Sequence, residues 1–436
     1  MRVWLRRKTA SLVLTAAVVA ACSSSPAHKP EETEQPPPLA DVPVGLVPVT
    51  VEVPQALARP PFDVPRQAAV PEGWTMSVWA RIPRARFAVW APDGALLVSV
   101  PANGEVLRLE PNPSGPPRQS LLLETLSLPH GMMFAGSTLY VAESDQINTY
   151  TYADGKATNR RTVVDGLPDA KSLDLHGAYT HQLKSVVVGR DGAVYFSIGS
   201  TGNISAEDRN ANPPRATIMR VPPGGGPARP FATGVRNGTG LAIAPDGSVW
   251  TAVNGRDNVP YPGPGPRRGQ VVDDYVNDHP PEQIARVTPG RELGWPYCNS
   301  DGGPADMRFI ADAQMNPDGR RMDCAGLLPV EQSMGAHAAP LGMVFTDGLL
   351  PAPYTRGALI GVHGSWNREP PRAPEVAFYP WRNGTLGNQQ TLVGGFQAAD
   401  GSRWGRPVAA VVGPDGAVYI TDDHGNAVYR LAPPGR

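Results

Sequence analysis

The chain has 436 residues, with 39 basic and 40 acidic side chains and a formal net charge of −1. This balance gives no electrostatic basis for nucleic-acid binding. With 47 glycines, 50 prolines and no sustained helical periodicity, the sequence excludes a mainly helical fold and indicates many turns and short strands.

The first 22 residues predict a bacterial lipoprotein signal. Four basic residues precede an apolar stretch from Ala10 to Ala21, which is short for a membrane span and flanked as a secretory signal is. Cys22 and three serines follow, as in the lipoprotein box, where the cysteine becomes diacylated. The alternative is an ordinary secretory signal in which a cysteine falls here by chance. We therefore expect a signal over residues 1–21 and a lipid-anchored location in the bacterial cell envelope, periplasmic or on the outer surface.

Residues 22–65 predict a lipidated cysteine followed by a disordered linker. The segment is rich in Pro, Glu, Ala and Val and nearly free of aromatic residues, a composition that cannot build a packed core. The remaining residues, 66–436, are long enough for one large domain.

A repeated phrase in this domain predicts an all-β fold. A Pro-Asp-Gly turn followed by a short apolar strand starts at Pro92, Pro245 and Pro414, and an altered copy starts at Arg190. Two looser relatives, at 137–142 and 356–362, raise the count to six. Such self-similarity at wide spacing is typical of a β-propeller. The prediction is therefore a six-bladed β-propeller with long inter-strand loops, and function is expected in those loops.

Two further cysteines, Cys298 and Cys324, lie in one long loop region. In an oxidising compartment they are candidates for a disulfide that clamps the insert between them. Two buried free thiols are the alternative.

Three loop segments carry residues suited to chemistry. His181 precedes a strand at 185–188, where a neutral imidazole can take a proton from a substrate hydroxyl; a loop-capping histidine is the alternative. Arg236 and Asn237 lead into another strand, and an arginine there offers a fixed fork to a carboxylate or quinone oxygen, unless it is simply a surface arginine without a partner. The run from Asn254 to Asp257 places carbonyls beside a carboxylate, which suits a hard cation such as Ca²⁺, although such turns are common.

Other His, Arg and Trp residues adjoin blade strands in the same way, which predicts one shared rim and a funnel at the propeller axis. These residues are His130, His337, His363, Trp366, Arg368, Arg403 and Arg406.

Taken in order over residues 74 to 433, these motifs resemble the sorbosone dehydrogenase family, which groups with the soluble quinoprotein glucose dehydrogenases. The motifs are Pro129-His130-Gly131, His181, Arg220, 234–241, 254–257, 294–297, 337–343, 363–368 and 406–408. The resemblance implies a six-bladed propeller that binds pyrroloquinoline quinone (PQQ) and Ca²⁺. It further implies oxidation of a sugar or of a sugar-derived alcohol or aldehyde, as in sorbosone- or aldose-type dehydrogenases.

The resemblance also implies roles for individual residues. His181 matches the general base, and Arg236 matches the arginine that bonds the quinone oxygen, with Asn237 beside it. Gly255 and Arg256 match the positions whose carbonyls hold Ca²⁺, and Asp257 adjoins them. Further cofactor contacts are implied for His130, His337, Arg368, Arg403 and Arg406. The chain has Ser200 where the glucose enzymes carry an aspartate after Ile-Gly.

The expected partners follow from motifs that the sequence lacks. It contains neither a Gly-x-Gly-x-x-Gly in a strand-helix-strand unit nor a Cys-x-x-Cys-His haem site. Electrons are therefore expected to pass from a small-molecule substrate to a separate periplasmic cytochrome or quinone. Two rival functions are a non-catalytic, surface-anchored binding propeller and a metal-dependent lactonase.

Overall fold

The six copies of the turn-and-strand pattern fold as the second strands of six equivalent sheets in the computed structural model, which describes Leu39 and residues 42–436. The predicted signal and Cys22 lie outside the described residues. The second strands are Leu96–Val100, Thr138–Ala142, Val194–Ile198, Val249–Val253, Arg356–Val362 and Val418–Asp422. The prediction of an all-β, six-bladed propeller is confirmed.

Each blade is built from strands that pair antiparallel with their neighbours in chain order. The other strands of the first three blades are Ala88–Trp90, Glu105–Asn112 and Gly115–Leu123; Met132–Ala135, Ile147–Ala153 and Lys156–Val164; and Val186–Val188, Thr217–Val221 and Arg229–Thr233. A short strand, Arg291–Glu292, adds in parallel to the third blade.

The last three blades follow the same plan. Their other strands are Gly240–Ile243, Glu282–Val287 and Gln332–Met334; Pro340–Asp347, Glu375–Arg382, Thr385–Leu386 and Gln390–Val393; and Pro407–Val412 and Ala427–Ala432. The sixth blade is completed by Thr75–Arg81, which pairs with Ala427–Ala432. This pairing closes the ring between the two ends of the domain, so the circle of blades has no gap.

Helix is sparse in the part of the chain that the structure describes. It contains one four-residue α-helix, Asp273–Val276, and the 3-10 turns Gln55–Leu57, Pro101–Asn103, Leu173–Leu175 and Glu207–Asn210. None of these described helices is long and apolar enough to cross a membrane.

Apolar packing between blades explains why the second strands are mostly hydrophobic and do not alternate with polar residues. Leu96–Val100, Val194–Ile198 and Val249–Val253 are buried at every residue. Both faces of such a strand are covered, one by each adjacent blade, so neither face needs polar side chains. The described residues form six apolar clusters, one at each interface between neighbouring blades.

The described residues 42–65 correct that part of the predicted linker, whereas most of residues 22–41 lie outside the described part of the chain. Leu46–Thr50 pairs with Gln67–Pro71, and Val51 and Phe62 are buried. Phe62 packs edge-on against Trp404 and Tyr429 in the cluster between blades five and six. The ordered domain therefore begins before residue 66. Prolines interrupt the apolar alternation of this segment, which made it look like a linker.

Strand order fixes where the loops lie. The first strand of each blade contacts the first strand of the next around the ring, so the first strands line the axis. Because the second strand runs antiparallel to the first, residues just before the first strand and just after the second lie at the same end of the blade. The segments 181–185, 234–239, 254–257 and 337–339 occupy such positions.

Candidate active site

A polar cavity of about 410 Å³ opens at this end of the axis. Its volume lies within the range of small-molecule sites. Loops of the third, fourth and fifth blades contribute its wall, which includes His181, Arg236, Asp257, Glu282, His337 and Trp366. A separate cavity of about 480 Å³ is lined mainly by apolar residues of the first strands. Of these two axial cavities, the polar one gathers several titratable side chains and the apolar one does not, which makes the polar cavity the candidate active site.

His181 is held in one tautomer by the end of the third blade's second strand. Its Nδ1 lies 2.9 Å from Ser200 Oγ and 3.1 Å from the Ser200 carbonyl oxygen. The carbonyl can only accept, so Nδ1 carries the hydrogen and Nε2 carries the lone pair. Nε2 has no partner among the described residues. Burial, together with the nearby Arg236 charge, lowers the pKa of His181 to about 3, so the ring is neutral at physiological pH.

A glycine permits this close approach. A Cβ on Gly199 would lie 2.6 Å from both Cβ and the carbonyl oxygen of His181. Any larger residue there would push the histidine loop away from the strand end.

Arg236 lies beside the histidine as a buried cation. Its Nη1 donates to the Asn254 carbonyl at 3.1 Å, and its Nη2 donates to Asn203 Oδ1 at 3.0 Å and to Asp257 Oδ2 at 3.3 Å. Asn203 joins the two loops, because its Nδ2 donates to the Asp257 carbonyl and its Oδ1 accepts from the Asp257 amide, each at 2.8 Å. Burial lowers the pKa of Arg236, and the adjacent Asp257 opposes that shift. The positive charge is thus fixed in position at the cavity wall.

The loop 254–257 presents oxygen atoms that nothing in the described structure uses. The carbonyl oxygens of Gly255 and Arg256 accept no hydrogen bond from any described residue. Asp257 Oδ1 lies 3.9 Å from His337 Nδ1, and both flanking residues, Asn254 and Asp257, line the cavity. Free carbonyl and carboxylate oxygens are the donor set that suits Ca²⁺. No group of three or more His, Cys, Asp or Glu side chains in the described residues is arranged to hold a metal, so a cation here would depend on these carbonyls.

The Arg256 side chain has a different role from its carbonyl. It is buried and points into the insert of residues 298–324, where it pairs with Asp312 and donates from Nη2 to Gln314 Oε1 at 2.7 Å. That insert contains the hairpin Cys298–Asp301 and Arg308–Ala311, and a disulfide joins Cys298 to Cys324. The guanidinium therefore anchors the loop 254–257 to a cross-linked support.

Glu282 ties the loop 254–257 to the loop that carries His337. Its carboxylate accepts from the Gly255 amide and, at 3.3 Å, from the Ala339 amide. Burial raises the pKa of Glu282 to about 7. His337 and Ala339 both adopt left-handed backbone conformations, with φ of 58° and 51°, and His337 Nε2 donates to the Val276 carbonyl at 2.6 Å. His337 Nδ1 is left on the side of Asp257.

The loop 363–372 forms the remaining wall and is held from behind by two arginines. Arg406 donates to the carbonyls of His363 and Gly364 at 2.8 and 3.1 Å. Arg403 donates to the Ser365 and Arg372 carbonyls at 2.6 and 3.0 Å. In front, Trp366 is 71% exposed at the cavity, and the buried Oδ1 of Asn367 has no partner among the described residues.

A second polar network links the consecutive blades five, six, one and two. His363 Nε2 and Asp423 Oδ1 are 2.8 Å apart, and Arg86 donates to Asp423 Oδ2 at 2.6 Å. His130 contacts Arg86 at 3.4 Å and donates from Nδ1 to the Lys184 carbonyl at 3.2 Å. Burial lowers the pKa of both histidines, that of His363 to about 4, whereas His363 and Arg86 hold the pKa of Asp423 below its usual range. Both rings are thus neutral, and this network carries one cation and one anion.

The predicted site residues fall into two groups. His181, Arg236, Asp257, His337 and Trp366 share the cavity wall. The others lie outside that wall. His130 is buried in the second network, and Asn237 accepts a hydrogen bond from the Asn254 amide. Gly255 and Arg256 line a separate cavity of about 20 Å³. Arg368 donates to the Asn277 carbonyl, and Arg403 and Arg406 donate to loop carbonyls.

Four residues of the two networks were not predicted from the sequence. They are Asn203, Glu282, Arg86 and Asp423. Arg86 and Asp423 occupy the same loop positions as His130 and His363, so blade alignment could have found them. Asn203 and Glu282 carry no such signal.

The TrAA12-like family model matches residues 68–433. A curated relative, a pyrroloquinoline quinone-dependent pyranose dehydrogenase of Coprinopsis cinerea, is 27% identical over 259 residues, which is 53% of this chain but only 33% of that protein.

Two solved structures show the same fold. The holo PQQ domain of pyranose dehydrogenase from Coprinopsis cinerea has a TM-score of 0.71 at 20% identity and covers 87% of this chain and 98% of its own. The calcium structure of a Trichoderma reesei carbohydrate-active enzyme of family AA12 has a TM-score of 0.67 at 19% identity, with 84% and 96% covered. At these identities the structural likeness speaks for the fold alone.

Proposed function

The chain belongs to the TrAA12-like family, and from that membership we propose that it is a quinoprotein dehydrogenase with PQQ and Ca²⁺ as cofactors. It oxidises a sugar, or a sugar-derived alcohol or aldehyde, and passes the electrons to a separate acceptor. The name of the Coprinopsis cinerea relative, which states PQQ dependence and a pyranose substrate, supports this class of reaction.

The observation that carries the proposal is the state of His181. Its Nδ1 hydrogen is committed to Ser200, and its Nε2 lone pair is left for the cavity. A substrate hydroxyl that enters the cavity meets a neutral base, which takes the hydroxyl proton at Nε2. The resulting imidazolium lies near the Arg236 charge, which favours release of the proton once the product leaves.

Other residues of this chain fit the two cofactors. The free carbonyls of Gly255 and Arg256, with Asp257 beside them, would supply the oxygen ligands for Ca²⁺. Arg236, whose guanidinium lines the cavity, would offer a donor to a quinone oxygen there. Arg403 and Arg406, for which the family resemblance implies cofactor contacts, already donate to carbonyls of the loop 363–372. When bound, PQQ would accept the hydride and Ca²⁺ would act on it as a Lewis acid.

Arg236 supplies positive charge where the reaction needs it. Its side chain is only 4% exposed, so water screens its field poorly. Asn203, Asn254 and Asp257 hold the guanidinium in place before substrate arrives, so no reorganisation is needed to stabilise negative charge in the cavity.

The test compares His181→Asn with a matched surface control. His176→Asn changes an exposed histidine of the same insert, at a left-handed position that asparagine tolerates. The wild type and H176N should bind PQQ with Ca²⁺ and reduce an artificial dye when sugars are added. H181N should retain cofactor binding while sugar-dependent turnover falls by about 10² to 10⁴. Equal turnover in H181N and wild type would remove His181 as the base.

The same experiment separates the rival functions. Tight PQQ binding without turnover on any sugar or alcohol would favour a binding propeller. Calcium-dependent ring opening of a lactone without PQQ would favour a lactonase.

The proposed location is the bacterial cell envelope, through a lipid on Cys22. A Cys22→Ser variant should move from the membrane fraction to the soluble fraction after cell lysis. An unchanged distribution would reject the anchor without affecting the proposed reaction.

A further inference from the structure

Ser200 touches the candidate base through two atoms. Its hydroxyl oxygen and its carbonyl oxygen both lie within hydrogen-bonding distance of His181 Nδ1, at 2.9 and 3.1 Å. Ser200 itself is fully buried, so water does not compete for these contacts. The chain thus holds its base without a carboxylate in contact with the ring.

The direction of the hydroxyl hydrogen follows from a third atom. Ser200 Oγ lies 2.7 Å from the Gly202 carbonyl, which can only accept, so the hydroxyl donates there and presents a lone pair to His181. If Nε2 carried the ring hydrogen instead, the Nδ1 lone pair would face the Ser200 carbonyl, and the hydroxyl would have to abandon Gly202. Two carbonyls therefore select the Nδ1–H tautomer.

The segment that carries Ser200 is fixed on both sides. The Ser200 amide donates to the Arg236 carbonyl at 2.8 Å, which ties the segment to the loop of the buried cation. On the other side, the Thr201 amide donates to Asp208 Oδ2 at 2.8 Å, and Asp208 also pairs with Arg215. Tyr179 Oη adds a bond to the Gly199 carbonyl at 2.8 Å. Ser200 therefore has little freedom to follow a moving histidine.

From this geometry we propose that Ser200 is the positioning residue of the site, holding His181 in the Nδ1–H tautomer so that Nε2 faces the substrate as an uncharged base. The catalytic part of this inference rests on the proposed function; the tautomer and its cause do not. Ser200 acts through His181 and is not assigned a contact with substrate.

The charge environment gives the inference a measurable consequence. The charged and titratable groups around the cavity are Arg236, Asp257, Glu282 and His337, and the one that acts on His181 is the Arg236 cation. Both of Ser200's acceptors are uncharged, and the support that the Ser200 carbonyl gives to the imidazolium is smaller than the opposing effects of burial and Arg236 on the pKa of His181. A carboxylate at position 200 would favour it and raise the pH at which His181 titrates.

The test measures the His181 ring directly and then its effect on turnover. Proton-nitrogen NMR of the cofactor-free full-length protein, with His181 assigned by its loss in H181N, reports the tautomer and the titration. We expect the Nδ1–H tautomer and a neutral ring from pH 7 down to about pH 4 in wild type. Ser200→Asp should titrate at least one pH unit higher than wild type, whereas Ser120→Asp, which adds the same charge on the exposed outer strand of the first blade, should not.

Turnover supplies the second readout. In Ser200→Ala the backbone acceptor remains, so kcat should fall by roughly tenfold to a hundredfold with KM within about twofold. In Ser200→Asp the acid limb of the kcat profile should move to higher pH together with the NMR titration.

Several outcomes would overturn the inference, and each is separate from failure of the proposed function. An Nε2–H tautomer in wild type would overturn it without any variant, so it stays testable even if Ser200→Asp does not fold. An unchanged tautomer, titration and kcat in Ser200→Ala would overturn it as well. Absence of PQQ-dependent turnover would reject the proposed function and leave the NMR result to decide the role of Ser200.

Discussion

Replacing Arg256 with methionine should destabilise the domain by about 3 kcal/mol. The guanidinium pairs with Asp312, and both side chains are buried. Methionine keeps the apolar stem but leaves the Asp312 carboxylate buried without a cation, a change that costs about 3 to 5 kcal/mol. Asp312 retains Asn299 Nδ2 at 2.8 Å and the amides of Gln314 and Met315 at 2.9 and 2.8 Å. Because these three neutral donors still stabilise the Asp312 carboxylate, we expect the loss of unfolding free energy to lie at the lower end of that range.

Equilibrium denaturation at pH 7, monitored by tryptophan fluorescence, measures this loss. Arg320→Met is the matched control, because Arg320 lies in the same insert with an 87% exposed side chain and a weak surface pair. It should stay within about 0.5 kcal/mol of wild type. The double variant R256M/D312N removes the unpaired charge and should be more stable than R256M alone. An R256M protein as stable as the control, or a double variant less stable than R256M, would refute the assignment of Arg256 as a buried anchor.

Three further predictions follow from other parts of the structure. Replacing both Cys298 and Cys324 with serine removes a disulfide that spans 26 residues. In the chain-entropy model this should lower the free energy of unfolding by about 3.5 kcal/mol, which would be measured as a lower Tm. An unchanged Tm would mean that the insert is ordered without the disulfide. Trp366→Ala removes the exposed ring at the cavity mouth. It should raise the KM for sugar about tenfold and leave kcat within a few-fold of the wild-type value. A fall in kcat at unchanged KM would exclude a role of Trp366 in ground-state substrate binding. Burial lowers the pKa of His363 to about 4, so below pH 6.5 the unfolded chain binds the proton more readily than the folded one, and the free energy of unfolding falls as the pH falls. Between pH 7 and 5, wild type should lose about 2 kcal/mol more of that free energy than His363→Gln. Equal losses would mean that His363 is not buried as a neutral ring.

The sequence was a good guide to the fold because the repeated element is local. Each Pro-Asp-Gly turn and the strand after it lie within about ten residues, and the strand is mostly apolar because blades cover both its faces. The N-terminal strand Leu46–Thr50 was missed because its pairing with Gln67–Pro71 depends on contacts across a proline-rich segment. A local pattern cannot report such a pairing.

The site was only partly predictable for a related reason. His181 and Arg236 stand out because their residue types and loop positions suit chemistry. The partner of Arg256 is 56 residues away in an insert, and Glu282 reaches the Ala339 amide 57 residues along the chain. Contacts over such separations leave no periodic pattern in the sequence. Arg256 was therefore predicted only from the position of its loop, and Glu282 was not predicted.

The central claim is that sugar delivers electrons to PQQ held in this propeller, with His181 as the base. The direct measurement is the absorption spectrum of the PQQ- and calcium-loaded protein as sugars are added without any electron acceptor. The account predicts stoichiometric loss of the oxidised-quinone absorption in wild type, and a rate lower by about 10² to 10⁴ in His181→Asn at equal PQQ occupancy. A loaded wild-type protein whose spectrum no sugar or alcohol changes, or a protein that does not bind PQQ in the presence of Ca²⁺, would contradict it.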